Sequence, residues 1–201
     1  MKLRTTLLAA AAAFAITGAA SAAPIAAGSQ LSIAGFDVTV PSGVSVDAAT
    51  GLDFTSSTGT PSPGTPGVLS TVSGTGSFAG LGNCAGSCGT IQDILSFASF
   101  TSTPGEFVTT NGVTFDLNSI TSIQRAAASG GNLASLTING TGVFHVAGFD
   151  NTAGTFVLTT QGSSFTTFSA SAVGTAVPEP ISLALLGSSL AGLGLVRRFR
   201  R

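Results

Sequence analysis

From Pro24 to Ala176 the apolar residues recur at every second position in short runs, each closed by a glycine, a proline or an Asn-Gly pair, and no helix of three turns is apparent. A chain patterned this way folds as strands with one buried face. Over residues 30–40 (QLSIAGFDVTV), Leu31, Ile33, Val38 and Val40 alternate, with Gly35 interrupting the phase as a bulge does. Residues 42–67 read mostly as loop around Pro61, Pro63 and Pro66, with Leu52-Asp53-Phe54 as a short strand. Over residues 68–81 the hydroxyls of Thr71, Ser73, Thr75 and Ser77 share one face. Gly74, Gly76 and Gly80 thin the apolar side, which predicts an edge or strongly bent strand. Residues 91–100 end in an alternation of Leu95 and Phe97 and read as a strand.

The clearest hairpin is at Asn111-Gly112, flanked by residues 107–110 and 113–117, because that dipeptide accepts the positive φ angles of a type I′ turn. Residues 120–126 continue as strand. Residues 133–149 read either as a hairpin turning at Asn139-Gly140 or as one long strand bent at its glycines, and residues 155–160 and 165–173 are the last strands. Without βαβ alternation, the expectation is an all-β fold, an antiparallel β-sandwich or jelly roll.

Charge narrows the partners. Residues 23–176 carry one basic side chain, Arg125, against seven carboxylates (Asp37, Asp47, Asp53, Asp93, Glu106, Asp116 and Asp150), a formal charge of −6. Such a surface repels phosphates, so no nucleic-acid partner is expected. The whole chain is 7% charged, so solubility must come from hydroxyls and backbone amides. That composition suits a cell-surface β protein better than a cytoplasmic enzyme.

Candidate chemistry is sparse. Cys84 and Cys88, separated by three small residues, are most simply a disulfide closing a tight loop in an exported protein; free thiols, a redox pair or half of a metal site are the alternatives. A metal site finds few further ligands, since His145 is the one histidine. On a strand His145 shares a face with Val143 and Ala147. No aspartate or serine can be placed beside it from the sequence, and it reads as a hydrogen-bonded sheet histidine. Asp37, Asp116 and Asp150 each lie beside or near a phenylalanine at a strand end, where turn capping is the expected role. No G-x-S-x-G elbow and no D-x-D calcium loop occurs, so no catalytic residue, metal or cofactor is expected. The absence of Trp and Tyr weakens a sugar-stacking platform.

Both ends of the chain read as addresses. Lys2 and Arg4 precede an apolar run over residues 7–20 and an A-x-A site at Ala20-Ser21-Ala22, the pattern of a signal-peptide helix (residues 1–22) cut by signal peptidase after Ala22. The exported domain then spans residues 23–176. Residues 177–201 begin with Pro178-Glu179-Pro180, where two prolines keep the backbone extended. Residues 181–196 carry no charge and, at about 1.5 Å per residue, give a helix of roughly 24 Å, a short transmembrane span. Arg197, Arg198, Arg200 and Arg201 set its orientation, holding that end in the cytoplasm.

A Pro-Glu-Pro triplet, a short apolar helix and an arginine cluster, in that order, resemble the PEP-CTERM sorting signal of proteins exported by Gram-negative bacteria. The resemblance implies that an exosortase in the inner membrane cuts near Pro178-Glu179-Pro180 and passes the exported part onward, so that the helix anchors only a precursor. Gly74-Thr-Gly-Ser-Phe-Ala-Gly80, Gly112-Val-Thr-Phe-Asp-Leu117 and the stretch from Gly140 to Asp150 are similar to the body of many such proteins, a group that brings no activity with it. The leading expectation is a non-enzymatic surface or extracellular-matrix protein, with extracellular polysaccharide as its partner class. An adhesion or ice-binding module is the alternative, resting on the hydroxyl ladder of Thr71 to Ser77, and a secreted hydrolase, which no motif supports, comes third.

Overall fold

The computed structural model describes residues 22–56, 58–81, 83–101, 106–175 and 187–190. Ten strands follow one another: β1 (Gln30–Val40), β2 (Gly51–Thr55), β3 (Gly67–Gly74), β4 (Cys84–Ala85), β5 (Thr90–Ile91), β6 (Val108–Thr110), β7 (Val113–Ala126), β8 (Ser135–Val146), β9 (Thr152–Gln161) and β10 (Phe165–Gly174). Short 3-10 turns at Val46–Ala48 and Gly76–Leu81 interrupt them. The all-β, antiparallel expectation holds; the β-sandwich or jelly roll does not.

Neighbouring strands run in the order β1, β10, β9, β8, β7, β6, β5, β3, and β3 pairs again with β1, closing an antiparallel barrel of eight strands. The closing pairs include Leu31 with Gly74 and Ile33 with Val72. A barrel and a sandwich share the same local alternation, and what separates them is whether the first strand finds partners on both edges. Here β1 is bonded along one edge by β10, from Gln30 to Val38, and along the other by β3 and then by β2, which takes Phe36 to Val40. Segment β3, expected as an edge or strongly bent strand, is not an edge but a wall strand with β1 on one side and β4 and β5 on the other.

The Asn111-Gly112 hairpin forms as read, with φ of 22° and 88° at the two residues. Strand β8 runs straight through Asn139-Gly140, so the long-strand alternative is the one realised. Residues 91–100 do not make one strand. Gln92 N–H donates to Phe107 O, Ile94 exchanges hydrogen bonds with Leu52, and Phe97 N–H donates to Thr50 O, so successive residues serve different neighbours and no continuous ladder forms.

The interior is phenylalanine set against glycine. Phe54, Phe78, Phe107, Phe115, Phe144, Phe156 and Phe168 are all buried. Their rings meet in tilted and edge-on pairs, such as Phe115 with Phe144 (4.8 Å between centroids) and Phe107 with Phe156 (5.3 Å). Each such pair contributes about 0.5–1.5 kcal/mol beyond area burial. Space for them comes from inward-facing glycines. A Cβ on Gly154 would lie 2.5 Å from the Phe144 ring, and one on Gly35 would lie 2.8 Å from the Phe168 ring.

The chain enters and leaves the barrel at one end. Gly28 N–H donates to Gly174 O (3.0 Å), Gly174 N–H donates to Ser29 O (2.9 Å), and Thr175 N–H donates to Ala153 O (2.9 Å). Pro24 bridges Asp150 at the same end. Among the described residues no helix is long and apolar enough to cross a membrane. The expected membrane segment and signal helix fall almost wholly outside the described residues; within the former, residues 187–190 are helical.

Candidate functional site

The sequence-derived sites fall in three places. Pro178, Glu179, Pro180, Arg197, Arg198, Arg200, Arg201 and Ala20 lie outside the described residues, whereas Ala22 is described and exposed. Cys84 and Cys88 are bonded (S–S 2.12 Å, Cα–Cα 5.7 Å) on the loop that β4 pins to β3. Cys88 is buried, and its carbonyl accepts a hydrogen bond from Thr110 Oγ1 (2.6 Å), so the bridge fixes the approach of the chain to β5 and β6.

His145 is not without an aspartate. Pairing of β7 with β8 sets His145 opposite Thr114 and Val143 opposite Asp116, which makes Asp116 a diagonal neighbour of the histidine. Its Oδ2 lies 3.0 Å from His145 Nε2, and Asn151 Oδ1 lies 2.9 Å from Nδ1. Asp116 Oδ1 also accepts the backbone N–H of Glu106 (2.8 Å), a residue with φ of 104°. Asp116 thus sits inside a long strand and organises a cluster at the end where the chain enters and leaves, a role that turn capping does not describe. Both ring nitrogens of His145 are engaged, and the ring ties β7, β8 and the turn before β9 together. Replacing His145 with alanine is expected to lower stability by about 1–2 kcal/mol in urea unfolding and to leave the protein's biological role intact. A folded H145A protein that had lost its biological role would point to chemistry at this ring.

Asp37, expected as a turn cap, is instead inside the barrel. It is fully buried on β1, and burial pushes its carboxyl up to about 7 against the lowering effect of its hydrogen bond to Thr160. Thr160 Oγ1 is within reach of both carboxyl oxygens (3.0 and 3.2 Å) and of Thr167 O (3.3 Å). A protonated Asp37 can donate to Thr160 Oγ1 while that hydroxyl donates to the carbonyl, so the neutral acid satisfies the whole chain.

A pair of acids lies on the outer side of β2. Asp53 and Asp93 are both held above the usual carboxylate range, by burial first, with the charge of Asp53 adding to the effect at Asp93. Sequence reading missed this pair because forty residues and a turn of the barrel separate its members. Among the described residues no three His, Cys, Asp or Glu side chains gather into a metal-binding group.

The sole Arg of residues 23–176, Arg125, donates to Asp47 O (2.9 Å) and Ala49 O (2.6 Å) and lies 5.5 Å from the Phe97 ring centroid. It closes the end of the barrel opposite the entry. The hydroxyl ladder of the alternative reading is divided: Thr71 and Ser73 are exposed on β3, but Ser77 belongs to a 3-10 turn, where its Oγ accepts the N–H of Ala26 (3.0 Å).

No curated protein and no solved structure matches the chain. Residues 176–201 match the family model of the PEP-CTERM protein-sorting motif, and the chain therefore carries that motif on an all-β body.

Proposed function

We propose that this chain is a non-enzymatic surface or matrix protein, exported with its barrel outside the inner membrane and released from a membrane-held precursor by an exosortase. The observation that carries the reading is the sorting motif at residues 176–201. The body supports it. Its outward positions along β1, β10, β9 and β8 include Ser32, Ser171, Ser169, Thr167, Thr155, Thr159, Thr141 and Thr137, a face of hydroxyls in place of the apolar band that a lipid-facing barrel presents. A shallow uncharged groove runs over β3, β1, β10 and β9, lined by Ala34, Ser70, Ser169, Thr159, Gln161 and Leu133. Groups of this kind hydrogen-bond to neutral polyhydroxyl chains, so extracellular polysaccharide is the partner class that fits.

Intact mass of the protein tests the processing. In cells with an active exosortase the exported species should lack a segment of about the length of residues 177–201, and Glu179→Ala should make the unprocessed form accumulate. A mature species still ending at Arg201 in those cells would leave a permanent membrane anchor as the reading to keep.

A further inference from the structure

The exposed apolar side chains of the barrel are not scattered. Among its described residues the large ones are Leu95, Leu133, Val157 and Phe165, and all but Leu95 border the groove over β3, β1, β10 and β9. Leu133 lines it and is 65% exposed. Val157 stands two residues before the lining residue Thr159 on the outward face of β9, and Phe165 stands two residues before Thr167 on the outward face of β10. Phe36 holds the matching place on β1, two residues after Ala34, and the register sets it diagonally across from Phe165. The two rings lie nearly parallel, 19° apart with centroids at 5.8 Å. Gly59 lets the 58–66 loop close on the Phe165 ring, since a Cβ there would stand 2.7 Å from it. The ring is held, yet Phe165 remains 41% exposed.

Polar groups face the same space. The side chains of Gln161, Thr167 and Ser169 are exposed and make no hydrogen bond to another described residue. Ser70 Oγ and Thr159 Oγ1 donate to Ala34 O (3.1 Å) and Ser169 O (3.3 Å) and keep lone pairs with which to accept. Among the described residues no charged side chain lines the groove. Single exposed apolar residues need no explanation, but a set gathered around a concave surface of about 520 Å³, with open donors and acceptors between its members, has the make-up of a ligand site.

We infer that this groove binds a neutral glycan ribbon of β-1,4-linked, all-equatorial pyranose rings, with the Phe36–Phe165 shelf packed against one sugar and Gln161, Thr167 and Ser169 hydrogen-bonding its hydroxyls. The inference rests on the polysaccharide reading above and gives it a site. Such a sugar carries its hydroxyls around the rim and axial C–H groups on both faces, so it offers an apolar face to an aromatic ring and a polar edge to the groups beside it. Phenylalanine supplies the aromatic face without the polar tip of Tyr or Trp, and the amide and hydroxyls of β9 and β10 supply the polar contacts instead. A shallow, open groove suits an extended chain that runs out at both ends. A glycan bearing a carboxylate on each ring would meet a body of formal charge −6 with no cation in the groove, and is disfavoured.

The full-length chain, purified in a detergent without a sugar headgroup, provides the test by calorimetric titration with cellohexaose. One saturable site per chain is expected, with Kd of about 0.1–1 mM, as befits a shallow and wet surface. F165A and F165L, the second keeping apolar bulk under the 58–66 loop, should each weaken binding about 3–10-fold, and F165W should tighten it. Q161A should weaken it as well, whereas N118A, exposed on β7 away from the groove, should leave it unchanged, with urea midpoints confirming that each variant is folded. The β-1,4-glucuronate hexamer, the same ribbon with a charge on every ring, should bind at least about tenfold more weakly at low salt. The inference is overturned if cellohexaose shows no saturable binding, if F165L binds as wild type does, or if the glucuronate hexamer binds as tightly. In any of those cases a chain still retained by neutral exopolysaccharide from the producing cells leaves the polysaccharide reading standing without this site, and a chain retained by neither glycan removes both.

Discussion

Taking the folded body from about pH 8 to about pH 5 is expected to stabilise it, the reverse of the usual acid response of a protein whose carboxylates are paired. The group responsible is Asp37, whose carboxyl is pushed up to about 7 by burial in the barrel. In the unfolded chain it titrates near 4. Between those two values the folded state binds a proton that the unfolded state has released, so stability is full below about pH 4, falls as pH rises through the window, and levels above about pH 7. The shift corresponds to at most about 4 kcal/mol. Asp53 and Asp93 slope the same way, since burial raises both. Asp37→Asn, which keeps the shape and removes the charge, should therefore make the protein more stable than wild type at about pH 8 and flatten the curve without levelling it. Urea midpoints across the pH range, taken in chelated buffer, check this; a wild-type curve flat between pH 5 and pH 8 would exclude Asp37 as the titrating group.

The largest mutational loss is expected at Gly142. This residue faces Leu117 across the β7–β8 ladder at the point where the register shifts, and a Cβ built there would stand 2.0 Å from Asp116 O and 2.5 Å from the Phe115 ring. The carbonyl belongs to the neighbouring strand and cannot step aside without opening the ladder that also carries the Asp116–His145 contact. Gly142→Ala should cost about 3–4 kcal/mol, a large part of the 5–15 kcal/mol that holds a domain of this size folded. Gly80→Ala makes the control: nothing lies within 4 Å of its Cβ and its φ is ordinary, so the change should stay within about 0.5–1 kcal/mol. Equal urea midpoints for the two variants would refute the close-approach account of Gly142.

Where a structural decision is made by residues close in sequence, the sequence displayed it. Asn111-Gly112 needs no distant partner to turn the chain, and the strand read over residues 155–160 follows from the pleat alone, although β9 begins three residues earlier, at Thr152. Closure was not legible, because nothing in Leu31 or Ile33 announces that Gly74 and Val72 will bond to them. The polar clusters were hidden for the same reason. His145 meets Asp116 only after β7 and β8 find their register, and Asp53 meets Asp93 only after β2 takes up its place beside β1. Val38 misleads in the opposite direction. It reads as a core residue and is indeed buried, but it pairs with Asp53 on the outer side, beneath the proline-rich loop. Asp37, read as a turn cap, took the inward place next to it.

The nearness of entry and exit has a mechanical meaning. Residues 24 and 175 leave the barrel side by side, at the end where β1 begins and β10 finishes, and these two strands are antiparallel partners from Gln30–Val173 to Val38–Phe165. A pull applied between the two ends of the body therefore loads the ladder in the peeling direction, one hydrogen-bonded pair at a time, starting at Gln30. A pull borne through one end against a ligand on the outer face does not peel that seam. Under tension, a barrel with this layout keeps its shape when it is moored by one terminus and tears open when it is moored by both.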